Sequence, residues 1–172
     1  MSDRWKPSVT VAAIVASNDD DDGGPRRFLL VEETTPEGLR LNNPAGHLEA
    51  GESPQQAVAR EALEETACVF TADRLVGVYL SRFVRPATGE DVTYLRFAFG
   101  GSVGPRDPAR VLDAPVVRTV WMTLDEVRAS AARHRSELVL QCIEDFVAGR
   151  RYPLDAITAS ATLAVPRVAA GG

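Results

Sequence analysis

Three glutamates lie on one side of a single predicted helix, directly after a loop that contains Gly46 and Glu52: Glu61, Glu64 and Glu65. At 100° per residue their side chains fall within about a 100° arc, so the carboxylates converge. Each close pair of like charges costs about 1 to 4 kcal/mol, which protonation or a hard cation relieves. Because the candidate ligands are all oxygen atoms, the pattern predicts a site for Mg²⁺ or Mn²⁺.

The helix that carries these glutamates is well specified by its own residues. Ser53 is a predicted N-cap, Pro54 suits the first helical position, and Gln56 completes a capping box. The alternative is a surface helix with solvated charges, which the spacing of the acidic residues relative to the loop disfavours. An apolar side of the helix lies about opposite the glutamates and is expected to pack on a sheet: Ala57, Val58, Ala59, Ala62 and Leu63.

Length and composition indicate a single domain. The chain has 172 residues, of which 45% are hydrophobic, so we expect one domain over residues 1–160 and a frayed tail over 161–172. The net charge of −5, without a basic stripe, argues against a nucleic-acid partner but not against a free nucleotide. Cys68 and Cys142 lack metal-site spacing and are expected to be buried. With no signal peptide or membrane-length apolar run, the sequence predicts a cytoplasmic monomer or homodimer without a membrane partner.

The hydropathy pattern predicts strands separated by two further helices. A buried strand is expected at residues 9–16, in the middle of a sheet, and a polar turn at 18–25, whose aspartates at 19–22 are more typical of a solvated loop than of a metal site. Thr123 and Glu126 predict a capping box for a helix to about residue 132, and Ser136 is the expected cap of a last helix that ends at Gly149. Other strands are predicted at residues 28–31 and 116–122, residues 41–45 lead into the loop of Gly46, and a hairpin of 73–84 and 91–103 is joined through 86–89.

Gly46, Glu52 and the run Arg60-Glu61-Ala62-Leu63-Glu64-Glu65 resemble the signature box of the Nudix hydrolases. The resemblance implies an α+β domain with the Nudix fold, a mixed β-sheet sandwiched between helices. One position departs from the family pattern. Ala67 stands where the family has a glycine in the left-handed conformation, so keeping that backbone costs about 1 to 2 kcal/mol.

The likeness extends over residues 5–157 and includes Asn43-Pro44-Ala45-Gly46-His47-Leu48-Glu49. It implies, within the family, a phosphatase that releases inorganic phosphate from nucleoside tri- and diphosphates. It also implies a second substrate, the hydroxymethylpyrimidine diphosphate precursor of thiamine. The alternatives are a Nudix pyrophosphohydrolase of another substrate, such as ADP-ribose or an oxidised nucleotide, and a non-catalytic nucleotide-sensing module.

The resemblance also assigns roles to the acidic residues. It implies that Glu61 and Glu65 are direct ligands of Mg²⁺, for which Mn²⁺ can substitute, and that Glu64 is a ligand or a bridging partner. The carbonyl oxygen of Ala45 is expected to complete the coordination. Arg60 is expected to pair with Glu52 and to hold the loop against the helix, so the predicted catalytic set is Glu52, Arg60, Glu61, Glu64 and Glu65.

The general base is not evident from the sequence. In many family members a glutamate about six residues before the tryptophan that corresponds to Trp121 has this role, and here that position is Pro115. Asp113 is a nearby candidate, with a turn aspartate as the equal alternative. We expect Glu64, or a metal hydroxide acting alone, to be the base.

Substrate contacts are expected from residues around the box. His47 is a candidate phosphate contact, or a residue that packs the loop. Glu49, Tyr94 and Arg96 are further candidates, with Tyr94 and Arg96 on one face of the second hairpin strand. His134 is expected at the surface. Other aromatic side chains that are candidates for stacking on a ring, with packing as the alternative, are Trp5, Tyr79 and Phe83.

Overall fold

The structure is a computed structural model that describes residues 4–17, 24–85 and 88–164. In these residues the chain forms seven strands and three α-helices. The strands are β1 (Ser8–Val15), β2 (Arg27–Thr35), β3 (Gly38–Asn42), β4 (Ala45–His47), β5 (Phe70–Val84), β6 (Asp91–Val103) and β7 (Val116–Thr123). The helices are α1 (Pro54–Thr66), α2 (Leu124–Ala129) and α3 (Leu138–Val147).

Three predicted segments lie wholly or partly outside the described residues. These are the aspartates at 19–22, the first two residues of the hairpin connection, 86–87, and the tail beyond residue 164. The start of the predicted tail forms a short 3-10 helix, Ala161–Ala164. Fraying of the tail as a whole stays a prediction.

The strands form two sheets. A four-stranded mixed sheet has the order β4-β1-β6-β5, with β1 parallel to β6, and a three-stranded antiparallel sheet has the order β3-β2-β7. Strand β1 lies inside the mixed sheet, as predicted, and residues 11–15 are fully buried. The predicted α+β class is confirmed, and the division into two sheets is the feature that the hydropathy pattern did not indicate.

The mixed sheet is covered by helices on both faces. Because successive strand residues point to opposite faces, Ala13 packs in the core beneath α1 while Ile14 packs in the core beneath α3. The predicted apolar stripe of α3 is buried or packed on this second core, and both cysteines are buried as expected. Helix α1 therefore has one side in the core and leaves its acidic side free for the site.

The start and end of α1 follow from local chemistry. Ser53 Oγ accepts a hydrogen bond from the Gln56 N–H, and the Gln56 side chain accepts one from the Ser53 N–H, so the predicted capping box is present. Ala67 closes the helix with φ 57° and ψ 25°, the left-handed conformation expected of the family glycine. Its N–H donates to the Leu63 carbonyl oxygen at 3.0 Å. The chain thus keeps the backbone of the glycine while carrying the strain of an alanine.

Several details of the C-terminal half differ from the predictions. The N-cap of helix α3 is Glu137, which makes no side-chain capping hydrogen bond, so Ser136 is not the cap. The carbonyl oxygen of Ser136 accepts a hydrogen bond from the Val139 N–H. His134 is half-buried rather than at the surface, and its Nε2 lies 3.2 Å from Ser130 Oγ. This burial lowers the pKa of the imidazole. Helix α2 has the predicted capping box, but it ends at Ala129 and continues as a 3-10 helix, Ala131–Arg133.

Among the helices of the described residues, none has the length and apolar character needed to span a membrane.

Candidate active site

The site begins where α1 crosses the short strand β4. A Cβ atom added to Gly46 would collide with the carboxylate of Glu61, which lies directly over the glycine. The φ of Gly46 is not in the left-handed region, so the glycine is required for space rather than for backbone conformation. This close approach holds the first glutamate of the helix against the loop.

Arg60 occupies the centre of the acidic face. Its Nε and Nη2 donate to the two carboxylate oxygens of Glu52 at 3.0 and 2.7 Å, and Nη2 also donates to the His47 carbonyl oxygen at 3.0 Å. Its Nη1 donates to Glu61 at 2.8 Å and to Glu64 at 3.1 Å. The predicted pairing with Glu52 is present, and the contacts with Glu61 and Glu64 were not predicted. A single guanidinium therefore ties the loop, the strand and the helix together.

Glu65 is the most secluded carboxylate of the helix. It is 9% exposed, and one of its oxygens accepts a hydrogen bond from the Ala45 N–H at 2.9 Å. Burial raises the pKa of Glu65 to about 8, and repulsion from Glu33, Glu61 and Glu64 acts in the same direction. Burial likewise raises the pKa of Glu61, whereas the bond from Arg60 lowers the pKa of Glu52. The acidic face thus contains one carboxyl group that favours its protonated form near neutral pH.

The donor set of this face fits a hard divalent cation, because every candidate side-chain ligand is a carboxylate oxygen. In the portion of the chain that the structure describes, however, no three His, Cys, Asp or Glu side chains are arranged to hold a metal ion. Two of the glutamates, Glu61 and Glu64, are instead bound to Arg60 Nη1. The pKa of Glu65 is raised mainly by burial, with repulsion from Glu33, Glu61 and Glu64 adding to the rise. The chemistry of the donors thus fits Mg²⁺, whereas the arrangement of these described residues with Arg60 bound does not form a metal site.

This arrangement corrects one expectation. The sequence predicted that only protonation or a metal would relieve the crowding of the glutamates. Arg60 also relieves it, through its hydrogen bonds to Glu61 and Glu64.

Glu33 is a site residue that the sequence did not reveal. It lies on β2, in the other sheet, is 5% exposed, and accepts a hydrogen bond from Asn42 Nδ2 at 2.9 Å. Its negative charge adds to the rise in the pKa of Glu65, which burial mainly causes. The alternation of residues along β2 does not indicate this interaction between Glu33 and Glu65, because it depends on how the two sheets are arranged.

The predicted substrate contacts differ widely in exposure. His47 and Glu49 are exposed, Tyr94 is half-buried, and Arg96 is only 8% exposed. The rings of His47 and Tyr94 are 6.5 Å apart between centroids, with a tilt of 48°. Glu49 contacts Glu52 through its backbone, since the Glu49 N–H donates a hydrogen bond to Glu52 Oε1 at 2.8 Å. By strand register, the side chains of His47, Tyr94 and Arg96 lie on the face of the mixed sheet opposite α1.

Of the other aromatic candidates, Tyr79 has a structural partner, because its hydroxyl donates to Asp145 Oδ2 at 2.9 Å. Trp5 and Phe83 are 69% and 42% exposed.

Asp113, the candidate base in the later loop, contacts helix α1 through its backbone. The N–H of Asp113 donates to the Glu64 carbonyl oxygen at 3.0 Å, and the residue is exposed. Glu64 is the more accessible of the two carboxylates that Arg60 Nη1 holds, with 28% of its side chain exposed against 14% for Glu61. The loop of Asp113 thus lies beside the acidic face, but its contact with that face is made by the main chain.

Comparison with known proteins yields one consistent set of relatives. The NUDIX domain family model matches residues 6–142. The phosphatase NudJ of Escherichia coli K12 is 33% identical over 153 residues, which cover 89% of this chain and 92% of that protein. A NUDIX hydrolase structure from Nitrosomonas europaea has a TM-score of 0.78 and 48% identity, and it covers 90% of this chain and 98% of its own.

A more distant structure shares the fold. The NUDIX domain of Shewanella oneidensis NrtR, complexed with ADP ribose, has a TM-score of 0.65 and 19% identity over 85% of this chain and 90% of its own. Since the similarity at the sequence level is low, this neighbour supports the architecture alone.

Proposed function

This chain belongs to the Nudix hydrolase family, and from that premise we propose that it is a Mg²⁺-dependent phosphohydrolase of nucleoside tri- and diphosphates. The product would be inorganic phosphate, and hydroxymethylpyrimidine diphosphate is a second candidate substrate. The observation that carries the proposal is the acidic face of α1, where Arg60 holds Glu52, Glu61 and Glu64 beside the buried Glu65. The similarity to NudJ supports the choice of substrate class.

The proposed metal ligands are Glu61, Glu64, Glu65 and the carbonyl oxygen of Ala45. When bound there, Mg²⁺ supplies positive charge next to the phosphate oxygens and makes water a better nucleophile. Mn²⁺ would satisfy the same oxygen donors. Ala45 is suited to this role because its N–H already binds Glu65, which fixes the peptide beside the carboxylate.

The protein residues have three further tasks. Arg60 and Glu52 hold the loop in register with the helix, which keeps the carboxylates of α1 beside the loop. Glu64, the more accessible of the carboxylates bound to Arg60 Nη1, is the proposed general base. It takes a proton from the attacking water as the new oxygen–phosphorus bond forms, the phosphoanhydride bond breaks, and the departing phosphate keeps its electron pair.

Product analysis tests this proposal. Each substrate of a panel of nucleoside triphosphates, nucleoside diphosphates, ADP-ribose and hydroxymethylpyrimidine diphosphate is incubated with Mg²⁺, and the phosphorus products are separated by ³¹P NMR. Orthophosphate from nucleotides supports the proposed activity. Pyrophosphate from the nucleoside triphosphates, or AMP and ribose 5-phosphate from ADP-ribose, would assign a different Nudix reaction. Tight nucleotide binding without turnover would indicate a sensing module.

A further inference from the structure

Strand β5 lies at one end of the mixed sheet, and half of its length has no neighbour on its outer side. The sheet order is β4-β1-β6-β5, so β6 is the only strand that pairs with β5. The outer side is closed at Leu75, which exchanges two backbone hydrogen bonds with Tyr152, both at 2.9 Å. Beyond that point, among the residues that the structure describes, no such bond is made on the outer side of residues 78–84. This stretch, residues 78–84, is the open edge of the sheet.

The backbone groups that the open edge offers follow from the pairing of β5 with β6. The Arg85 N–H donates to the Glu90 carbonyl oxygen at 2.8 Å, so the backbone of Arg85 faces β6. Because this direction alternates along an antiparallel strand, the N–H and C=O groups of every second residue face outward. Leu75 agrees with this pattern, since the bulge between Leu75 and Gly77 shifts the alternation by one residue. The outward residues are Val78, Leu80, Arg82 and Val84.

The open edge has little of the protection that monomeric proteins give to such strands. Exposed edges are usually protected by charges, proline or bulges. Here there is no proline, both bulges of β5 lie before residue 78, and the one charge, Arg82, is bound to Asp91 at 2.8 and 2.6 Å. Four apolar side chains are instead exposed to solvent: Val78 (50%), Leu80 (69%), Phe83 (42%) and Val84 (49%). An apolar edge of this length indicates a partner strand.

The order of side chains along the open edge is nearly the same in both directions. The sequence is Val78-Tyr79-Leu80-Ser81-Arg82-Phe83-Val84. If two copies pair antiparallel about Ser81, valine lies opposite valine, tyrosine opposite phenylalanine, and leucine opposite the aliphatic part of arginine. A contact about a twofold axis requires a surface that is complementary to itself, and this order supplies one. The pattern therefore favours a second copy of this chain over an unrelated strand.

The neighbouring registers are less favourable than the one centred on Ser81. Moving the centre to Arg82 places this arginine opposite its own counterpart, where the like charges repel. Moving it to Leu80 brings Arg85 of one copy opposite Leu75 of the other, whose outer backbone groups are already bound to Tyr152. The register centred on Ser81 avoids both conflicts and uses the whole open edge.

The shape of the protein beside Val78 is compatible with this register. A cavity of about 270 Å³ opens there, lined by Leu75, Gly77, Val78, Arg150, Tyr152 and Ala156. Val84 of the second copy lies opposite Val78 and so reaches the rim of this cavity. On the other face, Ser81 Oγ donates to the exposed Glu137 at 3.2 Å, so the two copies bring their Glu137 carboxylates near the axis. Salt screens this repulsion, and we expect it to favour pairing.

We propose that two copies of this chain associate through residues 78–84, joining their four-stranded sheets into one sheet of eight strands. The outward N–H and C=O groups of the four residues in each copy then form eight hydrogen bonds across the axis. Covering this edge buries on the order of 500 Å² per copy, against about 800 Å² per partner in a standard interface. The dimer is therefore weak and forms at micromolar or higher concentrations.

Sedimentation velocity from about 1 µM to about 1 mM protein measures this association. The matched variants are Leu80→Lys and Leu80→Glu, which remove the same exposed apolar side chain but place opposite charges against Arg82 of the second copy. We expect Leu80→Lys to raise the dimer Kd at least about tenfold and Leu80→Glu to remain within about threefold of the wild type. Val147→Lys, at an exposed position near the end of α3, should leave the Kd unchanged.

Disulfide formation tests the register itself. Ser81 lies on the proposed axis, opposite its own counterpart, in a pair whose Cα atoms are about 4.5 Å apart. Ser81→Cys should therefore link two copies under mild oxidation, because a disulfide requires Cα atoms about 4.4 to 6.8 Å apart. Arg82→Cys is the control, since its Cα lies more than about 7 Å from its counterpart in this register. Both native cysteines are buried and should not contribute.

These measurements do not require hydrolysis, so their outcome is independent of the proposed function. A concentration-dependent dimer that links through Ser81→Cys and is weakened by Leu80→Lys alone supports the proposal. A wild-type protein that stays monomeric up to about 1 mM overturns it and leaves the open edge to a strand from another protein. A dimer that fails to link through Ser81→Cys, or that responds equally to Leu80→Lys and Leu80→Glu, overturns it in favour of another surface.

Discussion

Arg60 binds Glu52 through two parallel hydrogen bonds, from Nε at 3.0 Å and from Nη2 at 2.7 Å. The two residues are eight positions apart, one on the loop and one in the second turn of α1. The pair is partly shielded, with 25% of the Arg60 side chain and 16% of the Glu52 side chain exposed. This bond is the physical connection between the loop and the helix that share the site.

Glu52→Gln should weaken this connection, because the amide offers one acceptor instead of two charged ones. After discounting for partial exposure, we expect a loss of about 1 kcal/mol of unfolding free energy and a fall in turnover of about ten- to a hundredfold. Urea unfolding and steady-state kinetics measure the two effects. Asp91→Asn breaks the similar but exposed pair with Arg82 and should change neither quantity. Equal effects of the two substitutions would contradict the role given to Glu52.

Gly46→Ala should damage activity more than stability. The new Cβ would collide with the Glu61 carboxylate, so the glutamate has to move away from its position over the loop. We expect turnover to fall about a hundredfold, since small displacements of catalytic groups have effects of that size. Gly104→Ala is the control, because its Cβ would meet only the Val69 carbonyl oxygen at 3.9 Å. Retention of full activity in Gly46→Ala would show that the Glu61 position is unimportant.

The stability of the metal-free protein should depend on pH through Glu65. Its pKa is raised to about 8 in the folded protein, mainly by burial, against about 4 in an unfolded chain. The folded state therefore holds a proton that the unfolded state has lost, so this stabilisation is complete below about pH 4 and is lost as the pH rises towards 8. Thermal unfolding in a chelator between pH 5 and 8 should show this decline, and Glu65→Gln should flatten it. Identical slopes for both proteins would exclude Glu65 as the source.

Mg²⁺ should remove most of this pH dependence and should release protons on binding near pH 7, because a coordinated carboxylate must be ionised. Calorimetry in buffers with different ionisation enthalpies counts these protons. Binding without proton release would contradict coordination by Glu65.

Ala67→Gly should stabilise the protein. Alanine in the left-handed conformation is strained by about 1 to 2 kcal/mol, whereas the buried methyl group that is lost contributes about 0.8 kcal/mol. The expected result is a net gain of up to about 1 kcal/mol in chemical unfolding. Ala59→Gly, the same change within α1, should instead destabilise by about 1 kcal/mol. A loss of stability in both variants would indicate that Ala67 is not strained.

Local chemistry explains which parts of the fold were predictable. The capping boxes at Ser53 and Thr123 depend on side chains three residues apart, so the sequence specifies them directly. The hairpin strands follow from alternation along the chain. Ser136 failed as a cap because the chain already turns helically at Glu137, a choice that depends on how α3 packs.

The site was predictable only where its residues share one helix or one loop. The pairing of Arg60 with Glu52 follows from the spacing of the box, but the additional bonds to Glu61 and Glu64 depend on the side-chain positions that the loop imposes. Glu33 was missed because its effect on Glu65 acts from a strand of the other sheet. No pattern within a single strand contains that information.

The dependence of phosphate release on free Mg²⁺, measured for the wild-type protein and for Glu61→Gln with the best nucleotide substrate, tests the central claim most directly. Glu144→Gln, a change in a surface pair with Arg128, controls for the loss of one negative charge. The wild type and the control should release orthophosphate along the same saturable Mg²⁺ curve, while Glu61→Gln should be slower by at least about a hundredfold although it remains folded. Equal rates for all three proteins, or undiminished release in excess chelator, would contradict a metal-dependent hydrolase built on the acidic face of α1.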